Sequence, residues 1–315
     1  MHLSWKVVLH SNTLAKLLYK AVFSKLKSVI RASALGVLSV NAIGASAYAT
    51  APSALSINMC SDQMVMLLAD PTQIKALSTL SRDSAGSYFH ELANEFPQAD
   101  PQAEDILPLA PDVILTGPYT PRHTLSLLAE LGMRVEQLKI ANSLEDMFAN
   151  VLLVGRILDQ QVKATLIVES LRERLTAIDV RLNQLDARMI TSGLSRPKAA
   201  VYGANGYTAG EASLLGEAMI LAGWANVATD KGIEAYGVLH LEELIQLAPE
   251  ALIESPYGAD NYSRSQMIAR HPALRQAGLN PVVVSLPSNQ TICAGPWSVD
   301  IVAELMQARE MLFAN

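Results

Sequence analysis

The stretch from Ser143 to Arg188 leaves few folds open to this chain. Behind Ser143, whose hydroxyl can cap orphan helix amides, apolar residues recur at helical spacing as Leu144, Met147, Phe148, Val151 and Leu152, with Glu145 and Asp146 in the positive first turn. After a break near Leu158 to Gln161 the pattern resumes as Val162, Leu166, Ile167, Leu171, Leu175, Ile178, Leu182 and Leu185. No glycine or proline interrupts this second run until Gly193 and Pro197, so at about 1.5 Å per residue the helix spans roughly 40 Å, more than one small lobe needs. The apolar positions drift from a strict heptad, which disfavours half of a coiled coil. With a charged face at Glu169, Arg172, Glu173 and Arg174, the helix is expected to be a rigid strut between two bodies.

Both sides of the strut share one grammar. Before it, strands are expected at Ala54–Met59, Ile74–Thr79, Asp112–Thr116 and Met133–Leu138, with helices at Ser61–Ala69, Ser87–Phe96, Ala103–Leu109 and Arg122–Leu131. After it, strands at Lys198–Tyr202, Ala251–Glu254 and Pro281–Leu286 alternate with helices at Ala212–Ala222, His240–Leu247, Arg264–Arg270 and Ser298–Leu312. The stretch Trp224–Gly237 yields no assignment. Alternation of this kind builds parallel sheets covered on both faces. An internal repeat agrees: Glu104 to Tyr119 aligns without gaps on Glu242 to Tyr257, 138 residues later, sharing the Leu-Ala-Pro break after a short helix and the Pro-Tyr turn after a strand. The expected fold is α/β, two Rossmann-like lobes of parallel sheet joined by one long rigid helix, with the ligand cleft between them. Its parts are a leader at 1–49, a lobe at 50–142, a helical link at 143–190 and a lobe at 191–315.

The first 49 residues hold Lys6, Lys16, Lys20, Lys25, Lys27 and Arg31 and no acid, then a small apolar run ending in Ala47-Tyr48-Ala49. That pattern is a cleavable export signal, and the run is too weak to span a membrane. Asn58-Met59 before Cys60 lacks the small residues of a lipoprotein site. The remaining chain carries eighteen Lys and Arg against 30 Asp and Glu, a net charge of about −12, which excludes nucleic acid and anionic membrane as partners.

Ligands of open α/β sheets sit beyond the carboxyl ends of the strands. The loops expected there hold Tyr88, Tyr119, Tyr207, Tyr236, Tyr257 and Tyr262, together with Trp297, a mouth suited to a large, flat, partly apolar ligand. Cys60 and Cys293 are the only cysteines and fall in the same class of loop, one per lobe. Two readings stay open: a disulfide, the default in an oxidising compartment, or thiols that reach the ligand as soft axial donors to a chelated metal. The bulk of a chelate held between the lobes favours the thiols. Asp62 and Arg82 complete the ligand-facing set.

The export signal, the opening strand followed by Asn-Met-Cys-Ser-Asp-Gln, Leu-Ala-Pro-Asp-Val-Ile-Leu ahead of a turn, the long linking helix and the second Leu-Ala-Pro-Glu occur in an order that resembles the periplasmic substrate-binding proteins of iron-siderophore and cobalamin ABC importers. The similarity runs from about residue 54 to 313. It implies a monomer in the periplasm without covalent cofactor, a metal chelate (ferric siderophore, corrinoid or haem-like) as transported ligand, and an inner-membrane ABC permease dimer as partner. Glu104 and Glu242 match the glutamates with which that family docks to permease arginines. The pair Cys60 and Cys293 departs from the better-known members. A free zinc or manganese binder would instead need several histidines converging, and His90, His123, His240 and His271 are badly placed for it. An enzyme reading lacks any G-x-S-x-G, P-loop or H-E-x-x-H motif.

Overall fold

A computed structural model of the chain describes residues 51–258 and 265–313; the expected leader, Tyr262 and Arg264 lie outside them. The first lobe runs β1 (Ala54–Ser56), α1 (Met59–Leu68), β2 (Ile74–Ser78), β3 (Gln98–Ala99), α2 (Ala103–Ile106), β4 (Val113–Thr116), α3 (Arg122–Glu130) and β5 (Val135–Gln137). Two helices follow, α4 (Leu144–Ile157) and α5 (Gln161–Thr191). The second lobe runs β6 (Lys198–Val201), β7 (Tyr207–Ala209), α6 (Leu214–Leu221), β8 (Ala225–Asn226), β9 (Tyr236–Val238), α7 (Leu241–Leu247), β10 (Ala251–Glu254), α8 (Pro272–Gln276), β11 (Val282–Ser285), α9 (Ser288–Thr291) and α10 (Trp297–Phe313).

The two main sheets are parallel and built to one plan. Sheet one is ordered β3-β2-β1-β4-β5 and sheet two, read in the same sense, β8-β6-β10-β11, so only the edge strand β3 lacks a counterpart. A separate antiparallel pair, β7 with β9, flanks the second sheet. The repeat is visible in the backbone: α2 continues through a 3-10 turn to Ala110 and α7 ends at Ala248, and both alanines adopt the left-handed conformation before proline and the strands β4 and β10.

The strut is real and broken where expected. Its first helix is capped by Ser143, whose Oγ accepts from the Asp146 amide, and its second is 31 residues long, about 46 Å. Near its start Gln160 binds the Asp70 and Gln73 side chains and Lys163 donates to the Leu68 carbonyl, all in lobe one. Further along, Arg174 pairs with Asp300, Arg181 with Glu310, and Asp186 with Arg309, all on α10 of lobe two. One apolar core runs from α1 and β4 through Met147, Phe148, Ala164, Val168 and Leu171 to Val299, Val302 and Leu305, so both lobes rest on the same helix pair.

Three sequence expectations need correction, and one unassigned stretch is filled. The first strand ends at Ser56, because Asn58 turns the chain by accepting from the Cys60 and Ser61 amides. Ser87–Phe96 forms turns and a 3-10 segment (Leu92–Glu95) rather than a helix, since the Tyr88 amide is taken by Gln63 Oε1 and the Tyr88 and Phe89 rings by Trp297. Val162 and Leu166 face solvent, leaving Ala164 and Val168 to face the core. The unassigned stretch holds β8 and enters β9, strands too short to show a period.

Candidate functional site

The loops beyond the carboxyl ends of β1, β2, β4, β6, β10 and β11 meet between the lobes, and the meeting has two flanks. On the first, Cys60 and Cys293 are joined as a disulfide with Cα atoms 5.3 Å apart. The Tyr88 ring stacks on Trp297 at 4.4 Å between centroids, and Phe89 meets the same indole edge-on at 5.5 Å. Trp297 Nε1 donates to the Cys293 carbonyl at 2.8 Å. Ser288 Oγ donates to the Ala85 carbonyl at 2.6 Å, Asn289 Nδ2 to the Ser84 carbonyl at 3.1 Å, and the Tyr257 hydroxyl to the Asp83 carboxylate. All of these contacts except the Trp297–Cys293 hydrogen bond, which lies within lobe two, cross from one lobe to the other.

On the second flank the Tyr236 hydroxyl donates to Asn142 Oδ1 at 3.2 Å, and its ring lies parallel to that of Tyr207, 6.2 Å away, across the β7–β9 pair. Tyr119 stands in the turn after β4, near enough to Tyr236 to influence its titration. Gly117 makes that turn possible, because a Cβ there would sit 2.7 Å from the Asn58 side chain that caps α1. Behind this flank Glu217 of lobe two accepts from the Leu144 amide at 2.7 Å, adding a carboxylate to the start of α4. Burial beside Glu145 and Asp146 raises the Glu217 pKa against the pull of that amide.

Four tyrosines remain accessible, three on the second flank and Tyr257 at the rim of the first: Tyr119 is 82% exposed, Tyr257 55%, Tyr236 54% and Tyr207 45%. Burial, then the neighbouring Tyr119, raises the Tyr236 pKa, burial and then Tyr236 raise Tyr207, and the hydrogen bond to Asp83 leads in raising Tyr257. Tyr207, Tyr236 and Tyr257 therefore stay protonated at neutral pH in the ligand-free protein and present rings and hydroxyls.

The other residues expected to face a ligand stand elsewhere. Both cysteine sulfurs are consumed in the disulfide, which corrects the reading of axial thiol donors: the two loops come close enough to bond because the flank is packed shut, not open to a chelate. Cys293 is 2% exposed and Trp297 1%, so the indole is interlobe core rather than cleft wall. Burial, with Asp300 and Glu304 nearby, pushes the stacked Tyr88 phenol up to about 12. Asp62 has no exposed surface; it accepts from the Ser78 amide at 3.1 Å and from its hydroxyl, fastening α1 to the end of β2. Arg82 donates to the Ala93 and Phe96 carbonyls of its own lobe. Glu104 and Glu242 are exposed in the first turns of α2 and α7.

Sequence reading missed Asp83, Asn142, Ser288 and Asn289 as interlobe contacts. Asp83-Ser84-Ala85-Gly86-Ser87 has the composition of a turn poised over another surface, but nothing local names that surface. Among the described residues no group of three or more His, Cys, Asp or Glu converges to hold a metal ion. His240 and His271 begin helices, and His271 Nδ1 accepts from the Ala273 amide.

The model of a family described as periplasmic binding protein matches residues 55–289. A cobalamin-binding protein of Halobacterium salinarum is 27% identical over 152 residues, 48% of this chain and 39% of that relative, so the match spans well under half of the relative's length. Solved structures agree over more of the chain. The periplasmic vitamin B12 binding protein of Vibrio cholerae superposes with a TM-score of 0.60 at 17% identity, covering 84% of this chain and 99% of that one. A periplasmic heme-binding protein from Roseiflexus sp. RS-1 reaches 0.64 at 17%, covering 82% and 99%. Another from Pseudomonas aeruginosa reaches 0.59 at 23%, covering 82% and 92%. At such identities the likeness is one of fold.

Proposed function

The chain belongs to the periplasmic binding protein family, and from that premise we propose that it captures a metal chelate in the periplasm and hands it to an ABC permease. One observation carries the reading: two sheets of matching order turn the carboxyl ends of their strands towards each other, and the rim between them bears four accessible tyrosines, Tyr119 from one lobe and Tyr207, Tyr236 and Tyr257 from the other. Aromatic faces with hydroxyl edges hold a broad, coordinatively saturated ligand by stacking and hydrogen bonding. The bonded sulfurs supply no axial thiolate, which favours a chelate that needs none from the protein. A corrinoid fits that requirement best, in line with the cobalamin-binding relative; a ferric siderophore comes next and haem last.

On this reading residues 1–49 are a cleaved leader, 50–142 and 191–315 the ligand-holding lobes, and 143–190 the link. Glu104 and Glu242 are the docking points for the permease dimer. The protein binds and releases without chemistry on its ligand. Titration of the mature protein with cyanocobalamin, ferric hydroxamate siderophore and haemin, followed by tryptophan fluorescence and visible absorbance, tests the proposal. Binding of cyanocobalamin below about 10 μM, weakened at least about tenfold by Tyr119→Ala or Tyr236→Ala, is the expected result. No binding of any of the three in that range would sink it.

A further inference from the structure

We propose that the Cys60–Cys293 bond is a covalent clasp that closes one flank of the cleft, confining ligand exchange to the flank of Tyr119, Tyr207 and Tyr236 and making exchange depend on the oxidation state of two sulfurs outside that flank. The ligand half of this statement rests on the function proposed above; the mechanical half stands on the fold alone. The position of the bond gives it leverage. Cys60 opens α1, whereas Leu68 closes α1 and meets the strut through Lys163, so the bond sits about 12 Å along the helix from the strut's hold on lobe one. Its partner lies four residues before the start of α10, whose residues Asp300, Arg309 and Glu310 are paired with the strut. Rotation of the lobes about the strut would therefore pull directly on the bond between Cys60 and Cys293.

The noncovalent contacts around it are weak on their own. The Ser288, Asn289 and Tyr257 hydrogen bonds lie at a partly exposed rim, where water competes for each donor and acceptor. Holding Cys60 and Cys293 together keeps those partners, and the Tyr88–Trp297 stack, at high effective concentration. Cys293 is buried, so no ligand reaches its sulfur, while the partly buried Cys60 is the more accessible of the two to a reductant. A dithiol thiolate attacks the Cys60 sulfur and releases Cys293 as thiolate; the second dithiol sulfur then displaces Cys60. The protein gains two electrons and two protons as two thiols, and the dithiol leaves as its cyclic disulfide.

The test compares ligand-free oxidised protein, the same protein reduced with dithiothreitol, and the variant Cys60→Ser/Cys293→Ser by hydrogen exchange and solution scattering, with cyanocobalamin dissociation as a separate arm. Reduction or substitution is expected to speed amide exchange in residues 83–89 and 288–297 by about tenfold or more, to leave β1, β4 and β10 unchanged, and to release cyanocobalamin about tenfold faster. Unchanged exchange in those two segments overturns the clasp. So does a rise spread evenly over both cores, which would make the bond a fold-wide staple, and so do two alkylatable thiols in protein isolated from an oxidising compartment. If the double variant fails to fold, the reduced wild type gives the same reading. Failure of every form to bind cyanocobalamin counts against the ligand proposal alone, and the exchange arm still decides the clasp.

Discussion

Asp62 sets burial against hydrogen bonding. Desolvation raises its pKa to about 7, and the bonds from Ser56 and Ser78 only partly offset that rise. Because the fold raises the pKa above its unfolded value, the stability linked to Asp62 is fully present below about pH 4 and is lost as pH rises through 7. Glu304, raised to about 7 by burial and by Asp300, acts in the same direction. The expected outcome is a melting temperature several degrees higher at pH 5.5 than at pH 8, with a shallower slope in Asp62→Asn. An unchanged slope in that variant would assign the effect to Glu304. The sequence placed Asp62 at the ligand because it follows the first strand; its burial depends on Ser78, sixteen residues on, a contact no local pattern encodes. The exposed tyrosines were legible for the opposite reason, since Gly- and Pro-rich loops hold amphipathic rings at a surface whatever packs beneath.

Among the elements, the repeat carried the most information. Its Leu-Ala-Pro signature marks a helix whose C-terminal residue must swing into the left-handed region before proline, and Ala110 and Ala248 do so at φ 42° and 49°. An L-residue other than asparagine is strained there, so Ala110→Gly and Ala248→Gly are each expected to stabilise by about 0.5–1 kcal/mol, measured by denaturant midpoint. Destabilisation by either would mean that the alanine methyl packs more usefully than its exposed position allows. The strut was legible through length and periodicity, but its winding was not: Val162 and Leu166 continue the apolar row in sequence yet emerge into water, because the first turn of α5 is aligned by Gln160 and Lys163 on lobe one. Leu171 lies on the buried row between both lobes, and Leu171→Ala is expected to cost about 2–4 kcal/mol. A loss below about 1 kcal/mol would show that the helix pair is not the common floor of the two cores. Ser87–Phe96 marks the opposite limit, a helical pattern overruled by one buried indole from the other end of the chain.

At the scale of the whole molecule, two constraints act on the lobes, the strut with its shared core and the disulfide across a 233-residue separation. Together they predict a binder that barely moves: the radius of gyration is expected to change by less than about 1 Å when cyanocobalamin binds. A larger compaction would show that the lobes hinge despite both ties. A body of fixed spacing also suits a partner of fixed spacing. Each sheet carries the same helix-strand unit, so Glu104 and Glu242 stand at equivalent points of two equivalent lobes, both exposed and both in a first helical turn. On the proposed function, the two matching carboxylates would meet a permease dimer whose halves are related by a two-fold axis, one carboxylate to the arginines of each half. Neither lies on the tyrosine rim. Glu104→Ala and Glu242→Ala are therefore expected to leave chelate affinity unchanged while slowing uptake about tenfold each, with the double variant near the level of cells lacking the protein. Normal uptake in the double variant would leave the two glutamates with no role beyond favouring the starts of α2 and α7.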